Sequence, residues 1–548
     1  MFKSKRRRTS GAMDSKPAKK ESIEAIIVDS GAYSIKAGLS SIKKPNVIPN
    51  CIMKAKSERK RLFLGNQIND CRDCSGLYFL LPCEKGYITK WDVQKPVWDY
   101  VFSHNVCPIN EKPVIMTQPL FNFKSIQDCM DEIFFEEYEV PSMFRLNPTD
   151  LGRLKYIEDN NFTQDVPCII VDTGYSFTNI IPYINGNKYL RGIRRLNVGG
   201  KLLTNHMKDI ISYRQYNVME ETFVINQVKE DTCYVAKNIL EELKVAAKSG
   251  SENTIVKNYV LPDFNNIRRG YIQDSSDLSR KEYEDNCQIL RLNNERFIVP
   301  EILFHPSDIG MKCMGIAEAV VKSIYSCPNE YQEELCKHII LIGGNCNFPG
   351  FKERMYNELR SQLPHSWQVH VFQPKNPVSY NWEGGSSLLK VPDFKTYMVT
   401  KAEYEELGST IIQQRFNTWM IDNSEIKEET REKEEILSYL DNLKDKSVFG
   451  KQEPGENVSK TDSDESDTNI QTSDGNMNNT GQNVSDENNQ DSLCHNSETD
   501  IGSKLKKTQL KTNENATETL DEFYLEEEEC EDLRNSVDLF PLGNGSYL

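Results

Sequence analysis

The chain has 548 residues, 27% of them charged, with a formal net charge of −16 at pH 7. That length accommodates several domains, no apolar run reaches the ~20 residues of a membrane-spanning helix, and the 15 cysteines lack the regular spacing of a disulfide framework. A reduced, intracellular protein without a secretory leader is therefore expected. The charge is unevenly placed. From Thr418 onward there are 32 acidic and 12 basic side chains, and Met1 to Lys20 holds 8 basic and 1 acidic, which leaves a near-neutral body between two charged arms suited to interaction.

In chain order, residues 1–21 read as a disordered basic arm. Its clusters Lys5-Arg6-Arg7-Arg8 and Lys19-Lys20 have the layout of a two-part nuclear import signal, although such clusters also bind nucleic acid. Ala25 to Gly38 is an apolar strand running into Asp29-Ser30-Gly31 and out along a second strand. Gly31 lets backbone approach an anion there, so the turn suits a phosphate. The basic run Lys54 to Arg61 precedes a short strand. Trp91 to Phe102 has helical apolar spacing, with Pro96 requiring a late start or a bend. Cys71 and Cys74 have CxxC spacing, but no second close pair completes a zinc site. Phe121 to Phe144 reads as a helix rich in glutamates and aromatics.

Ile169-Ile170-Val171-Asp172-Thr173-Gly174 then repeats the first phrase and again continues into a strand. Two such hairpins predict a duplicated α/β body with two phosphate turns facing one cleft. Asn197 to His206 enters a long helix, and Val228 to Ala236 lies on another. Residues 265–286 read as a variable polar loop, and Glu301 to Pro306 restarts the fold. Beyond Asn417 the composition turns to Asn, Ser, Asp, Glu and Gln, too polar to order itself over 450–520. Within this tail, 425–443 could form a charged amphipathic helix, and 520–532 sets Phe523 and Tyr524 among acids such as Asp521 and Glu522. That segment is either a solubilising acidic stretch or a histone-gripping one, with aromatics as anchors and acids matched to a basic surface.

The paired Ile-Ile-Val-Asp-Ser/Thr-Gly phrases resemble the phosphate loops of the actin, sugar kinase and heat-shock 70 superfamily. Leu341-Ile342-Gly343-Gly344 through Phe351, Tyr380-Asn381-Trp382-Glu383-Gly384-Gly385-Ser386, and Lys401 to Gly408 resemble actin-family segments in the expected order. The resemblance covers about residues 22–417, leaving 1–21 and 418–548 as additions. It implies a duplicated two-lobed fold with a central nucleotide cleft, and ATP or ADP with Mg2+ as the ligand, the metal held by no protein side chain directly. The matching nucleotide positions are Asp29, Gly31, Lys36, Asp172, Gly174, Gly200, Lys229, Glu230, Gly343 and Gly344; Lys229 and Glu230 are read equally well as a solvated ion pair.

Where the family keeps its hydrolytic parts this chain departs from it. Ala32 and Tyr33 replace a serine and its small neighbour in the first turn, Tyr175 and Asn179 replace an acid and a histidine in the second, and Pro148 stands at the water-positioning glutamine. Losing one such group commonly costs a hundredfold or more, so negligible ATP turnover is expected. Segments such as Gly200 to His206, Ile225 to Asp231 and Asn294 to Phe304 further resemble the actin-related protein 6 subfamily. That implies a non-catalytic subunit of a nuclear chromatin-remodelling complex that exchanges a histone variant. The partners so implied are the motor ATPase subunit and a small zinc-finger subunit, with nucleosomes or histones met indirectly or through the tail. Neither membrane nor filament is expected, since the filament-docking loop is shortened. A nucleotide switch or weak ATPase acting elsewhere is the alternative.

Overall fold

The two Ile-Ile-Val-Asp phrases are central strands of two separate sheets in the computed structural model, which describes residues 24–418 apart from 57, 59, 72, 75, 110, 265, 274–286 and 393. The basic arm with its import signal, the 425–443 helix and the acidic-aromatic segment lie outside the described residues. The first phrase forms β1 (Ile26–Ser30), followed by β2 (Ser34–Leu39), β3 (Asn46–Pro49), β4 (Val114–Thr117) and β5 (Ser142–Leu146). The second forms β6 (Cys168–Thr173), followed by β7 (Thr178–Ile184), β8 (Asn187–Lys188), β9 (Arg194–Leu196), β10 (Ile339–Ile342) and β11 (Val371–Phe372). β12 (Val399–Thr400) returns to the first sheet.

The first sheet runs β12-β5-β4-β1-β2-β3 and the second β8-β7-β6-β10-β11, with β9 paired to β7. Each centres on an antiparallel hairpin flanked by a parallel strand: β4 beside β1, β10 beside β6. Ile26, Ile27 and Val28, like Ile169, Ile170 and Val171, have no solvent exposure. The pleat explains why both faces are apolar. Ile26 and Val28 enter one core and Ile27 another; Ile169 and Val171 enter a third and Ile170 a fourth. A strand covered on both sides reads as a continuous hydrophobic run rather than an alternation.

The covering helices include α1 (Trp91–Val101), α2 (Pro148–Asp159), α3 (Gly200–Arg214), α4 (Thr222–Thr232) and α5 (Tyr380–Leu388). The Trp-Glu-Gly-Gly segment lies inside α5. A Cβ on Gly384 would stand 2.0 Å from the carbonyl oxygen of Leu151 on α2, so only glycine permits this close approach of the two backbones. Two residues earlier, the Trp382 indole N–H donates to the Ile27 carbonyl at 2.9 Å and anchors α5 on β1.

Several sequence expectations are corrected. The aromatic stretch 121–144 is an α-helix only over Lys124–Glu132, continues as a wide turn over Ile133–Glu137, and ends in β5. Met143 and Phe144 are paired with β4 and fully buried, so sheet pairing decides their conformation. α1 begins at Trp91 and not late. Burial of Val93, Val97, Trp98 and Val101 outweighs the backbone hydrogen bond that Pro96 cannot make. The helix expected over Val228 to Ala236 stops at Thr232, where the Cys233 amide closes it on the Lys229 carbonyl. Within 265–286, Tyr271–Ile272 is a strand paired to Lys257–Val260, while 274–286 lies outside the described residues. The 49–76 region contributes Ile52–Lys54 and Leu62–Leu64 to a three-stranded sheet completed by Tyr78–Leu80.

Candidate functional site

The turns after β1 and β6 face each other across a cleft of about 580 Å³ between the two sheet-centred lobes. Register places Asp29 opposite Lys36 in the first hairpin and Asp172 opposite Asn179 in the second. These equivalent pairs form the cleft floor. Asp29 accepts a hydrogen bond from the Thr117 hydroxyl at 2.9 Å and pairs with the Lys36 ammonium at 3.3 Å. Burial pushes the Asp172 carboxyl up to about 6, the Asp29 charge adding to the rise and Lys36 opposing it. Asn179 is 5% exposed, and its Oδ1 finds no partner among the described residues.

Above this floor, Tyr33 from the first turn and Tyr175 from the second meet ring to ring, with centroids 5.0 Å apart and planes at 34°. The Asn226 amide on α4 donates to the Tyr33 hydroxyl at 3.0 Å and to Glu230 at 2.8 Å. The ring pair lines both the cleft and a second cavity of about 480 Å³ whose walls include Met53, Ile68, Leu77, Phe79 and Phe223. Pro49 and Asn226 also line both cavities, so the ring pair is part of the boundary between them.

Lys229 lines the cleft but is not a solvated ion pair. It is 4% exposed, donating to the Gly200 carbonyl at 3.1 Å, the Thr204 hydroxyl at 2.8 Å and the Asn226 carbonyl at 2.9 Å. Burial brings its ammonium down to about 8. The Gly174 amide of the second turn and the Gly200 amide at the start of α3 are also used internally. Gly174 N–H donates to the Phe177 carbonyl at 3.0 Å, and Gly200 N–H to the Gly174 carbonyl at 3.0 Å. Gly343 adopts φ +96°, and a Cβ there would strike the Thr173 carbonyl oxygen at 2.2 Å, so the turn after β10 closes directly onto β6. Gly31, Ala32, Gly344 and Pro148 line the cleft, Pro148 as the first residue of α2. The structure therefore gathers all the sequence-chosen nucleotide positions around one cleft, with the Lys229 ammonium engaged by the protein's own oxygens.

Sequence reading missed Thr117, Asn226 and Asn345. Asn226 lies one helical turn before Glu230, so i,i+4 spacing could have found it. Asn345, which donates to the Thr173 hydroxyl at 3.0 Å and the Gly174 carbonyl at 2.8 Å, carries no local signal, because its partners are far away in sequence.

Fit to a nucleotide divides at the tyrosines. Paired carboxylates, Lys36 and the orphaned Asn179 acceptor suit a hydrated cation at the floor. A phosphate chain cradled by both turns has to pass between them, where the rings already stand, and the Gly174 amide is turned to its own loop. The residues do not fit a nucleoside triphosphate held by both turns.

The family model for actin matches residues 20–417. With the duplicated hairpins and the shared cleft, the class is defined: the chain belongs to the actin family. Within it, the similarity is to the actin-related protein 6 branch. The chain is 43% identical to Actin-related protein 6 of Drosophila melanogaster over 395 residues, 71% of this chain and 99% of that protein. It is 34% identical to Actin-related protein 6 of Arabidopsis thaliana, covering 71% and 99%, and 31% identical to that of Dictyostelium discoideum, covering 72% and 94%.

Proposed function

We propose that this chain is a non-catalytic actin-fold subunit of a nuclear chromatin-remodelling assembly that exchanges a histone variant into nucleosomes. Its two-lobed body would dock the motor ATPase subunit and a small zinc-finger subunit, with the acidic tail free to meet histones. The observation that carries the non-catalytic part is the Tyr33–Tyr175 contact between the two turns. Phosphoryl transfer to water needs a phosphate clamp and a positioned nucleophile. Here the two rings meet across the turns that would form the clamp, and Pro148, which has no polar side-chain atom, lines the cleft where the resemblance puts the water-positioning glutamine. The remodelling role itself rests on the resemblance to the actin-related protein 6 subfamily. A tagged chain recovered from nuclear extract and sized by gel filtration tests it: co-elution with a remodelling ATPase in a very large particle is expected, and a lone monomer or a sedimentable polymer overturns the reading.

A second reading, a nucleotide-bound switch, is favoured by the cation-ready floor of Asp29, Lys36, Asp172 and Asn179. Phosphate-release and nucleotide-retention assays separate the two. Actin-like turnover would remove the non-catalytic reading.

A further inference from the structure

Contacts bridge the two lobes at the cleft and at the second cavity beside it. Besides the ring pair and the Asn226–Tyr33 hydrogen bond, Arg195 beside the second turn donates to the Tyr87 hydroxyl at 2.6 Å and the Lys85 carbonyl at 2.8 Å. The Arg195 guanidinium also lies 4.2 Å over the Phe177 ring of the second turn. At the far end the Gly76 amide donates to the Glu221 carboxylate at 3.0 Å, Lys56 pairs with Glu220, and Phe79 stacks on Phe223 with centroids 6.3 Å apart. Residues before Pro148 supply one side of every bridge, and the β6–β9 region, or α4 with the two glutamates just before it, supplies the other.

Position singles out the tyrosines. Of the other bridges, Lys56–Glu220 is an exposed pair that contributes little. The rings belong to the two phosphate turns themselves, and although Tyr33 is 47% exposed, an aromatic pair at this distance is attractive beyond the area it buries. Tyr33 is also tied to α4 through Asn226, whose carbonyl in turn accepts from the buried Lys229. The first turn is thus connected through one ring to the interior of the second lobe.

We propose that Tyr33 and Tyr175 are the specificity-determining pair of this cleft, a latch that excludes a nucleoside triphosphate from between the turns and holds the lobes closed in its place. This deepens the docking-body reading and rests on it: a body latched by its own side chains presents a constant surface whatever the nucleotide supply. In the usual linkage, a ligand bound only by the closed form adds stability in proportion to the logarithm of its concentration over Kd. The latch makes that contribution independent of concentration.

The test uses the full chain, by thermal unfolding and by direct binding of ATP·Mg2+ and ADP·Mg2+. Wild type is expected to melt at one temperature with or without ATP·Mg2+ or EDTA. Tyr33→Gly with Tyr175→Asp is expected to melt several degrees lower alone and to regain that loss with ATP·Mg2+. Tyr33→Phe with Tyr175→Phe keeps both rings and is expected to ignore ATP as wild type does. Should the first pair of substitutions fail to fold, Tyr33→Ala alone is read the same way. Saturable ATP binding by wild type, or a folded ring-deleted variant that gains nothing from ATP·Mg2+, overturns the latch. The docking role is read separately by co-elution: wild type that binds ATP and still enters the large particle sinks the latch alone.

Discussion

Asp172 gives the cleft floor a dependence on pH in the acid range. Its carboxyl is pushed up to about 6 from an ordinary 3.8, chiefly by burial and then by the Asp29 charge. The folded protein therefore binds that proton more tightly than the unfolded chain does, and stability contributed here rises as pH falls from about 6 towards 4. Asp172→Asn removes both the charge and the dependence. The variant is expected to be more stable than wild type at pH 7.5 by ~1–2 kcal/mol, less than the full shift implies because the group borders an open cleft, and the two should converge near pH 4. Denaturant midpoints across that range check it; a difference independent of pH would assign the effect to packing. Single substitutions towards the actin pattern, such as Pro148→Gln, should leave phosphate release at background, because Tyr33 and Tyr175 still stand between the turns. Turnover appearing on that change alone would contradict the account.

At the scale of elements, two junctions hold the carboxy-terminal actin segments in place. α5 reaches α2 only because Gly384 lacks a side chain, so Gly384→Ala forces backbone apart at a 2.0 Å contact. A loss on the order of 3 kcal/mol is expected, read as a lower denaturant midpoint at unchanged slope. The helix Lys401–Leu407 starts with a reciprocal cap: Glu403 N–H donates to the Thr400 hydroxyl at 3.3 Å, and the Glu403 carboxylate accepts from Thr400 N–H at 2.9 Å. The same carboxylate takes two hydrogen bonds from Arg415, at 2.8 and 3.0 Å, and with Arg415 as first cause is held down to about 2. A depressed carboxyl stabilises above its unfolded pKa and loses that contribution as pH falls from about 4.5 towards 2. Glu403→Gln is expected to cost ~0.5–1 kcal/mol at pH 7, its ion pair being partly exposed to solvent, and to become equivalent to wild type at the acid end.

These elements also show what was legible. The two hairpins, the Gly343–Gly344 turn and the Thr400–Gly408 helix are local patterns, and the structure has them where the residues place them. β5 was read as helix because its aromatics are buried by two neighbouring strands far away in sequence, which no short window contains. Of the two outcomes expected of Pro96, the late start is overturned in the same manner: core burial of this helix outweighs the local penalty.

At the scale of the whole molecule, the relatives define which part of the chain makes the fold. Those three proteins are covered over 94–99% of their length by 71–72% of this chain, and the actin match ends at residue 417. Truncation after Asn417 is therefore expected to leave the midpoint of thermal unfolding unchanged within a degree or so. Truncation before Leu520 tests the separate proposal that Asp521, Glu522, Phe523 and Tyr524 engage histones: weakened binding of histone dimers, most evident at low salt, is expected, and unchanged affinity removes it.

The sequence by itself determined the duplication, the two turns and the positions of the glycines and acids, because each depends on neighbours within a dozen residues and repeats in the same words. It also determined which hydrolytic groups are replaced. Only the tertiary structure decided what the replacements do. Tyr33 and Tyr175 are separated by more than a hundred residues of chain, and their contact exists because two sheets set their turns face to face. Lys229 lines the cleft as its motif implies, yet α4 packs it onto the start of α3, where its ammonium is used up on the Gly200 carbonyl, Thr204 and Asn226. Side-chain direction and pairing across a cleft are long-range quantities, fixed by packing rather than by the order of residues along the chain.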